Sequence, residues 1–388
     1  MSEAFDGAVN RFMEARGIPG GALAVTQDRR LVYVRGYGWA DREKKEAARP
    51  DSLFRIASIT KTFTSAAVLK LVAAGRLQMD APAFAILQLE PLPGQKPDPR
   101  LSRITVRQLL HHTGGWDKDK SGDPMFMSRE IARANGEAPP ANQQAIIRYM
   151  LGRPLDFDPG AQCAYSNFGY CVLGRIIEKI SGVGYGPFVQ REVLAPIGIR
   201  RMRLGLTPER GRAEGEVKYY MAEREGGGNS NREDDAPTAP YTGFCLEAMD
   251  AHGGWVASAV DLARFAAALE DPVRESWLPA EARRLLYEPP APPVSRQPDG
   301  SLAAVYYGCG WEVRPAGRHG KADYWHDGSL PGTATWLVRH AEGLAWALLF
   351  NQRSNNRALP DRAIMSAMER AANSVGQWPG DDLFGKYR

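Results

Sequence analysis

The 388-residue chain predicts an α/β (α+β) fold, with one sheet assembled from both ends of the sequence and a mainly helical portion inserted between them. Three observations point there. Strand-like runs rich in apolar and β-branched residues occur at 20–25 and 31–34. Four more follow residue 300, at 303–313, 322–328, 333–339 and 343–350. The stretch between carries helical periodicity and loops, with no internal repeat.

The elements follow in order. A helix is expected over 3–16, with Phe5, Val9, Phe12 and Met13 on one side. The first two strand runs join at Asp28-Arg29-Arg30. A helix from Ser58 to Ala74 stops at Gly75, a residue suited to the position after a helix end. It is apolar on most sides and is therefore expected to be buried between layers. Arg107 to Gly115 reads as a helix end running into a glycine loop, and the polar stretch 117–142 as irregular chain covering a site. Asp158-Pro159-Gly160 marks a turn before a helix over 168–181, which carries Val172, Leu173, Ile176, Ile177 and Ile180 and stops at Gly182. The glycine-rich 225–231 and proline-rich 288–293 read as surface connections, and a last helix is expected over 359–374. The expected division is 1–57 with 300–388 as an α/β domain and 58–299 as a mainly helical one, the site lying at their interface.

Composition narrows the function. With 49 basic against 45 acidic residues and no dense Lys/Arg tract, nothing points to nucleic acid. No apolar run approaches the ~20 residues that span a bilayer, and Met1 to Asp6 shows no export signal, so a cytoplasmic location is expected. Cys163, Cys171, Cys245 and Cys309 have no zinc-site spacing and are expected to be buried free thiols. His111 and His112 are adjacent, so their side chains diverge, and no metal or other cofactor is expected.

The chemistry starts at Ser58-Ile59-Thr60-Lys61. Residues three apart on a helix share a face, so the lysine amine reaches the serine oxygen. A neutral Lys61 can then take the Ser58 proton and make the alcohol a nucleophile. Alone, the pattern is better read as a helix-capping serine and a solvated lysine, because a chain of this length holds about one Ser-x-x-Lys by chance. Tyr165-Ser166-Asn167, directly before the 168–181 helix, offers a phenol to pass a proton and an amide to bind an acyl group and Lys61. His326-Asp327-Gly328-Ser329 follows on a strand, where a glycine permits close approach of a substrate. The Ser329 and Ser58 amides are the candidate donors to a carbonyl oxygen.

In that order, Ser58-x-x-Lys61, Tyr165-Ser166-Asn167 and His326-Asp327-Gly328 resemble the serine β-lactamase and penicillin-binding-protein superfamily. The branch is that of class C β-lactamases, D-Ala-D-Ala carboxypeptidases and family VIII carboxylesterases. Leu109-Leu110-His111-His112-Thr113-Gly114-Gly115 is similar to the family's Leu-Leu-x-His-Thr-Ser-Gly, and 253–265 to its Gly-Gly-containing second support. The resemblance covers about residues 10 to 372. It implies a β-lactamase/transpeptidase-like fold with a central antiparallel sheet flanked by helices. His112-Thr113-Gly114 and Lys120-Ser121-Gly122 match the third motif as strings, but both precede the tyrosine and are set aside in favour of His326.

The third motif departs from the Lys-Thr-Gly of class C β-lactamases. His326 is only partly charged near neutrality, and Asp327 repels a substrate carboxylate unless it points away. The expected activity is therefore a serine carboxylesterase acting on short-chain or bulky acyl esters. A β-lactamase or D-Ala-D-Ala carboxypeptidase, or an amidase, is the alternative within the superfamily; an inactive binding module on the same fold is the alternative outside it. Ser58, Lys61 and Tyr165 are the expected catalytic residues. Ser58, Ser329, Asn167, His326 and Gly328 are expected to bind substrate and its oxyanion, and the expected partner is a small ester or amide. Trp116, Tyr241, Phe244, Trp255 and Trp311 are equally candidates for pocket wall and for core, and oligomeric state is left open.

Overall fold

Eight antiparallel strands, drawn from residues before 48 and after 305, form the central sheet of the computed structural model, which describes residues 1–222, 240–271, 273, 277–316, 321–354 and 362–387. The glycine-rich 225–231 lies outside the described residues. Chain order gives β1 (Gly20–Gln27), β2 (Arg30–Asp41), β3 (Glu46–Ala47), β4 (Phe54–Arg55), β5 (Arg203–Leu204), β6 (Trp255–Ala257), β7 (Tyr306–Tyr307), β8 (Glu312–Pro315), β9 (Ala322–Leu330), β10 (Thr333–Arg339) and β11 (Leu344–Phe350). The large sheet runs β3-β2-β1-β11-β10-β9-β8-β7. Its N- and C-terminal halves meet where β1 pairs with β11, Gly21 opposite Phe350 and Gln27 opposite Leu344. Asp28 and Arg29, at φ 48° and 68°, close the β1–β2 hairpin. Two positive-φ residues give the turn a twist that matches its strands.

The sheet is covered on both faces, which is why β1 and β11 read as continuous apolar runs. Leu23, Val25, Trp346 and Leu348 face α1 (Ser2–Glu14) and the Ala363–Asn373 helix. Ala22, Ala24, Ala347 and Leu349 face the opposite core, which holds α2 (Thr60–Ala73) and the Asn167–Ser181 and Ala259–Glu270 helices. The small alanines let the Ala259–Glu270 helix, from the middle of the chain, pack on β1, β10 and β11.

Two expectations are corrected and one element is added. The stretch 117–142 is not irregular: it holds helical turns at Lys118–Ser121, Pro124–Phe126 and Ser128–Asn135, and it buries Met125, Ile131 and Ala132. A second sheet, β4-β6-β5, runs beneath the start of α2; strands of two or three residues are too short to show periodicity. The cysteines are all free, but only Cys171 and Cys309 are buried, while Cys163 is exposed. No helix among the described residues is long and apolar enough to cross a membrane.

Candidate active site

The turn that carries Ser58 is clamped from two sides. β4 ends at Arg55, and the backbone then passes Ile56 and Ala57 into a 3-10 turn, Ala57–Ile59, that continues as α2. On one side Ile56 N donates to the Trp255 carbonyl on β6. On the other, two β10 threonines donate from their hydroxyls: Thr333 Oγ1 to Arg55 O (2.9 Å) and Thr335 Oγ1 to Ile56 O (3.1 Å). Ala57 sits at φ 46°, a conformation that costs a non-glycine residue about 1–3 kcal/mol and persists only where its surroundings enforce it. The result is selective exposure. Between residues 52 and 69, Ser58 alone is not fully buried.

Gly328 on β9 explains how the strand comes so close. A Cβ there would lie 2.2 Å from Ile56 O, 2.4 Å from Thr335 Oγ1 and 3.2 Å from Ala57 Cβ. Only glycine lets β9 pass the turn. Gly328→Ala is expected to push strand and turn apart, lowering stability by about 1–3 kcal/mol, the usual cost of overpacking, and lowering turnover as well. Thermal unfolding measured beside ester hydrolysis checks it; a variant matching the wild type in both sinks the reading.

Lys61 follows Ser58 by three residues and is completely buried. Its Nζ lies 3.2 Å from Ser58 Oγ, 2.8 Å from Asn167 Oδ1 and 2.9 Å from the His252 carbonyl oxygen. Two of these partners can only accept. A neutral amine has two N–H bonds and one lone pair. It donates to Asn167 and His252, and the lone pair is left for the Ser58 O–H. Burial pulls the Lys61 pKa down to about 7, against the opposing pull of the Asp123 and Asp327 carboxylates. The serine is thus set beside an amine that loses its proton near pH 7.

Tyr165 hydrogen-bonds Ser58, and burial holds its phenol well above the usual tyrosine value, so it stays protonated. Ser166 caps the Asn167–Ser181 helix by accepting from Gly169 N at 3.2 Å. That cap fixes the two flanking side chains: Tyr165 before the helix and Asn167 on its first turn, both beside Lys61. The Lys61 nitrogen sits 4.7 Å from the centre of the Tyr165 ring.

His326 reaches the same place from β9, but not as a cation. Its Nε2 meets the Tyr307 hydroxyl at 2.9 Å and its Nδ1 meets the Asp327 carbonyl at 2.6 Å. A carbonyl can only accept, so Nδ1 carries the hydrogen. Burial first, then the Lys61 charge, lowers the His326 pKa to about 4. The expectation of a partly charged histidine is therefore corrected to a neutral one. Register settles the neighbouring aspartate. Gly328 pairs with Thr335 and His326 with Leu337 on the α2 side, whereas Asp327 pairs with Trp336, whose ring belongs to the α1 side. Side chains alternate along a strand, so Asp327 points away. Ser329 shares that outer face, is exposed and accepts from Arg353 Nη1 at 3.4 Å. Its side chain is outside the site, and its backbone amide is what remains to serve an oxyanion.

Sequence reasoning missed several residues. His112, which chain order excludes from the third motif, packs its ring 4.4 Å from Tyr165 and 4.3 Å from Tyr307, and its Nδ1 accepts from Ser166 N at 3.2 Å. The similarity of 109–115 to a family phrase was the available signal. His111 turns the other way, to the Cys309 thiol at 3.4 Å. Asp123, next to the rejected Lys120-Ser121-Gly122 string, holds Asn167 Nδ2 at 2.6 Å. His252, immediately before the 253–265 phrase, supplies its carbonyl. Among the suggested wall residues, Trp116, Trp255 and Trp311 are core. Phe244 lines a groove of about 990 Å³ with Met125, Phe126, Met127, Pro139 and Pro208. Tyr241 packs on the Arg55 guanidinium.

The beta-lactamase family profile matches residues 5–368. The chain belongs to the beta-lactamase family. Its superfamily comprises serine hydrolases, esterases and amidases among them. Over 357 residues it is 25% identical to penicillin-binding protein 4* of Bacillus subtilis, a match covering 90% of this chain and 71% of that one. It is 31% identical to esterase EstB of Burkholderia gladioli over 202 residues, half of this chain and 49% of that protein. Other curated relatives are matched over about a third of their length, as with protein flp of Staphylococcus aureus at 36%. In fold, the beta-lactamase-family chain is similar to the octameric penicillin-binding protein homologue from Pyrococcus abyssi, with a TM-score of 0.72, 24% identity and coverage of 97% of this chain and 78% of that one. It is similar too to D-amino acid amidase from Ochrobactrum anthropi SV3, with a TM-score of 0.71, 23% identity and coverage of 96% and 97%.

Proposed function

We propose that this beta-lactamase-family protein is a serine carboxylesterase that forms an acyl-enzyme on Ser58 and cleaves short-chain or bulky acyl esters. The single observation that carries the reading is the hydrogen-bond set of Lys61, which leaves its lone pair to the one partly exposed hydroxyl on the turn. Lys61 takes the Ser58 proton as Oγ adds to the ester carbonyl, and the Ser58 and Ser329 amides receive the oxyanion. Collapse expels the alcohol, which takes a proton passed from Lys61 through the Tyr165 hydroxyl. Water then attacks the acyl-enzyme, giving its proton to the same pair; the acid departs and Ser58 regains its hydrogen. Asn167 and His326 border the acyl group, and Gly328 keeps the strand near it. The active site lies where the nucleophile turn and the Asn167–Ser181 helix of the mainly helical portion meet β9 of the sheet.

The ester reading is favoured over a lactam or peptide with a free carboxylate by the third motif. Its histidine is neutral and its aspartate points away, so the motif presents no cation to a carboxylate. The groove lined by Met125, Phe126 and Phe244 also carries Arg129, Glu130 and Arg133, and it is linked to the site through Asp123, which precedes Met125 by two residues and holds Asn167. Rates for p-nitrophenyl esters of increasing chain length, a chromogenic cephalosporin and a D-Ala-D-Ala peptide test this. Esters are expected to be turned over fastest; a cephalosporin or peptide turned over faster than every ester overturns the reading.

The pH dependence follows from Lys61. Its protonated form has no lone pair, so kcat/KM is expected to rise about tenfold per pH unit below pH 7, as one proton is lost, and to level off above about pH 7. Tyr165 stays protonated across this range and gives no falling limb there. A kcat/KM profile that is flat from about pH 5 to 9 sinks this assignment of the base.

A further inference from the structure

We propose that Asp123 is a positioning residue that fixes the Asn167 amide and, through it and its own charge, tunes the Lys61 base. The inference rests on the proposed esterase reading for its kinetics but not for its geometry. An amide can present either end to a neighbour. Here Asp123 Oδ2 accepts from Asn167 Nδ2 at 2.6 Å, so Asn167 turns its oxygen to Lys61 Nζ, 2.8 Å away. With the amide reversed, the nitrogen would face the lysine N–H groups and both hydrogen bonds would be lost. Asp123 is itself held, because its other oxygen accepts from Met125 N at 3.0 Å and caps the Pro124–Phe126 turn. Met125 and Phe126 line the groove. One carboxylate thus ties the groove wall to the base.

The charge acts in the same place. Burial drives Lys61 toward the neutral form, and the negative charge of Asp123 is the largest force opposing it. Without that opposition the amine would be neutral at lower pH but would also be a weaker base, and a base works best with a pKa near the working pH. The other groups around Lys61 do not replace Asp123. His112, His252 and His326 are held neutral by burial, and Tyr165 and Tyr170 stay protonated. Asp327 adds a second carboxylate, from the far face of β9.

Two variants separate the roles. Asp123→Asn removes the charge but keeps an oxygen able to accept from Asn167 Nδ2. The Lys61 titration, followed by NMR on lysine-labelled protein, is expected to move down by about half a unit or more, with the rising limb of kcat/KM moving equally. Asp123→Ala removes the hydrogen bond as well. Its kcat is expected to fall about 10–100-fold with little change in KM, as for other lost orienting partners, and Asp123→Asn is expected to restore most of it. A Lys61 titration unmoved or raised in Asp123→Asn, or an unchanged kcat in Asp123→Ala, overturns the proposal. The NMR titration needs no substrate, so an inactive wild type would refute the esterase reading while leaving this inference to be decided on its own.

Discussion

Ser58→Ala is expected to bring ester turnover to background and to abolish covalent labelling by a phosphonate ester. In a serine hydrolase, loss of the nucleophile lowers kcat by about 10⁶. The geometry leaves no substitute. The residues flanking Ser58 are buried, and its hydroxyl is the group hydrogen-bonded to both Lys61 and Tyr165. Folding should survive, because the turn is held by backbone groups and by the two β10 threonines rather than by Oγ. Intact-mass measurement after phosphonate treatment reads the outcome directly. A label retained on Ser58→Ala protein would place the nucleophile elsewhere and end the proposed mechanism.

Lys61→Met should separate catalysis from stability. Without the base, kcat is expected to fall by at least about 10²–10⁴. Stability is expected to move with pH in a defined sense. The folded pKa is about 7 against an ordinary 10.5, so between those values the unfolded chain holds one more proton than the folded one. Wild-type stability therefore gains about 1.4 kcal/mol per pH unit from this residue as pH rises from 7 toward 10.5. Below pH 7 both states are protonated, and the full burial penalty remains. The methionine variant lacks the penalty and the slope. Urea unfolding of both proteins at about pH 7 and about pH 9.5 should show wild type gaining about 3 kcal/mol relative to the variant. A stability difference that stays constant over that range would mean that Lys61 is not a buried, depressed base.

How much of this was legible depends on the distance over which each feature is decided. The Ser58–Lys61 pairing is local, and a 3-10 turn leading into a helix brings residues three apart together as surely as an α-helix does. The Tyr165–Asn167 unit is local too, organised by the Ser166 cap. The β9 position of His326 could be read from its strand-like surroundings. Its charge could not, since that depends on Tyr307, Lys61 and the packed layers around them. Asp123 was hidden for the same reason. Its partner stands 44 residues away, and a carboxylate in a polar stretch carries no mark of the amide it will meet. His112 shows the limit of ordering: chain order sets it aside from the third motif, but the fold lays its ring on Tyr165.

By itself, then, the sequence determined the sheet built from both ends, the helical portion between them and a serine–lysine pair with its tyrosine. Each follows from periodicity, turn residues or spacing over a few positions, where backbone geometry leaves little choice. Tertiary structure alone decided the protonation of that pair, the neutrality of His326, the outward turn of Asp327 and the recruitment of Asp123. The reason is burial: pKa values and amide orientations are set by the groups that surround a side chain once water is excluded, and those groups arrive from distant parts of the chain.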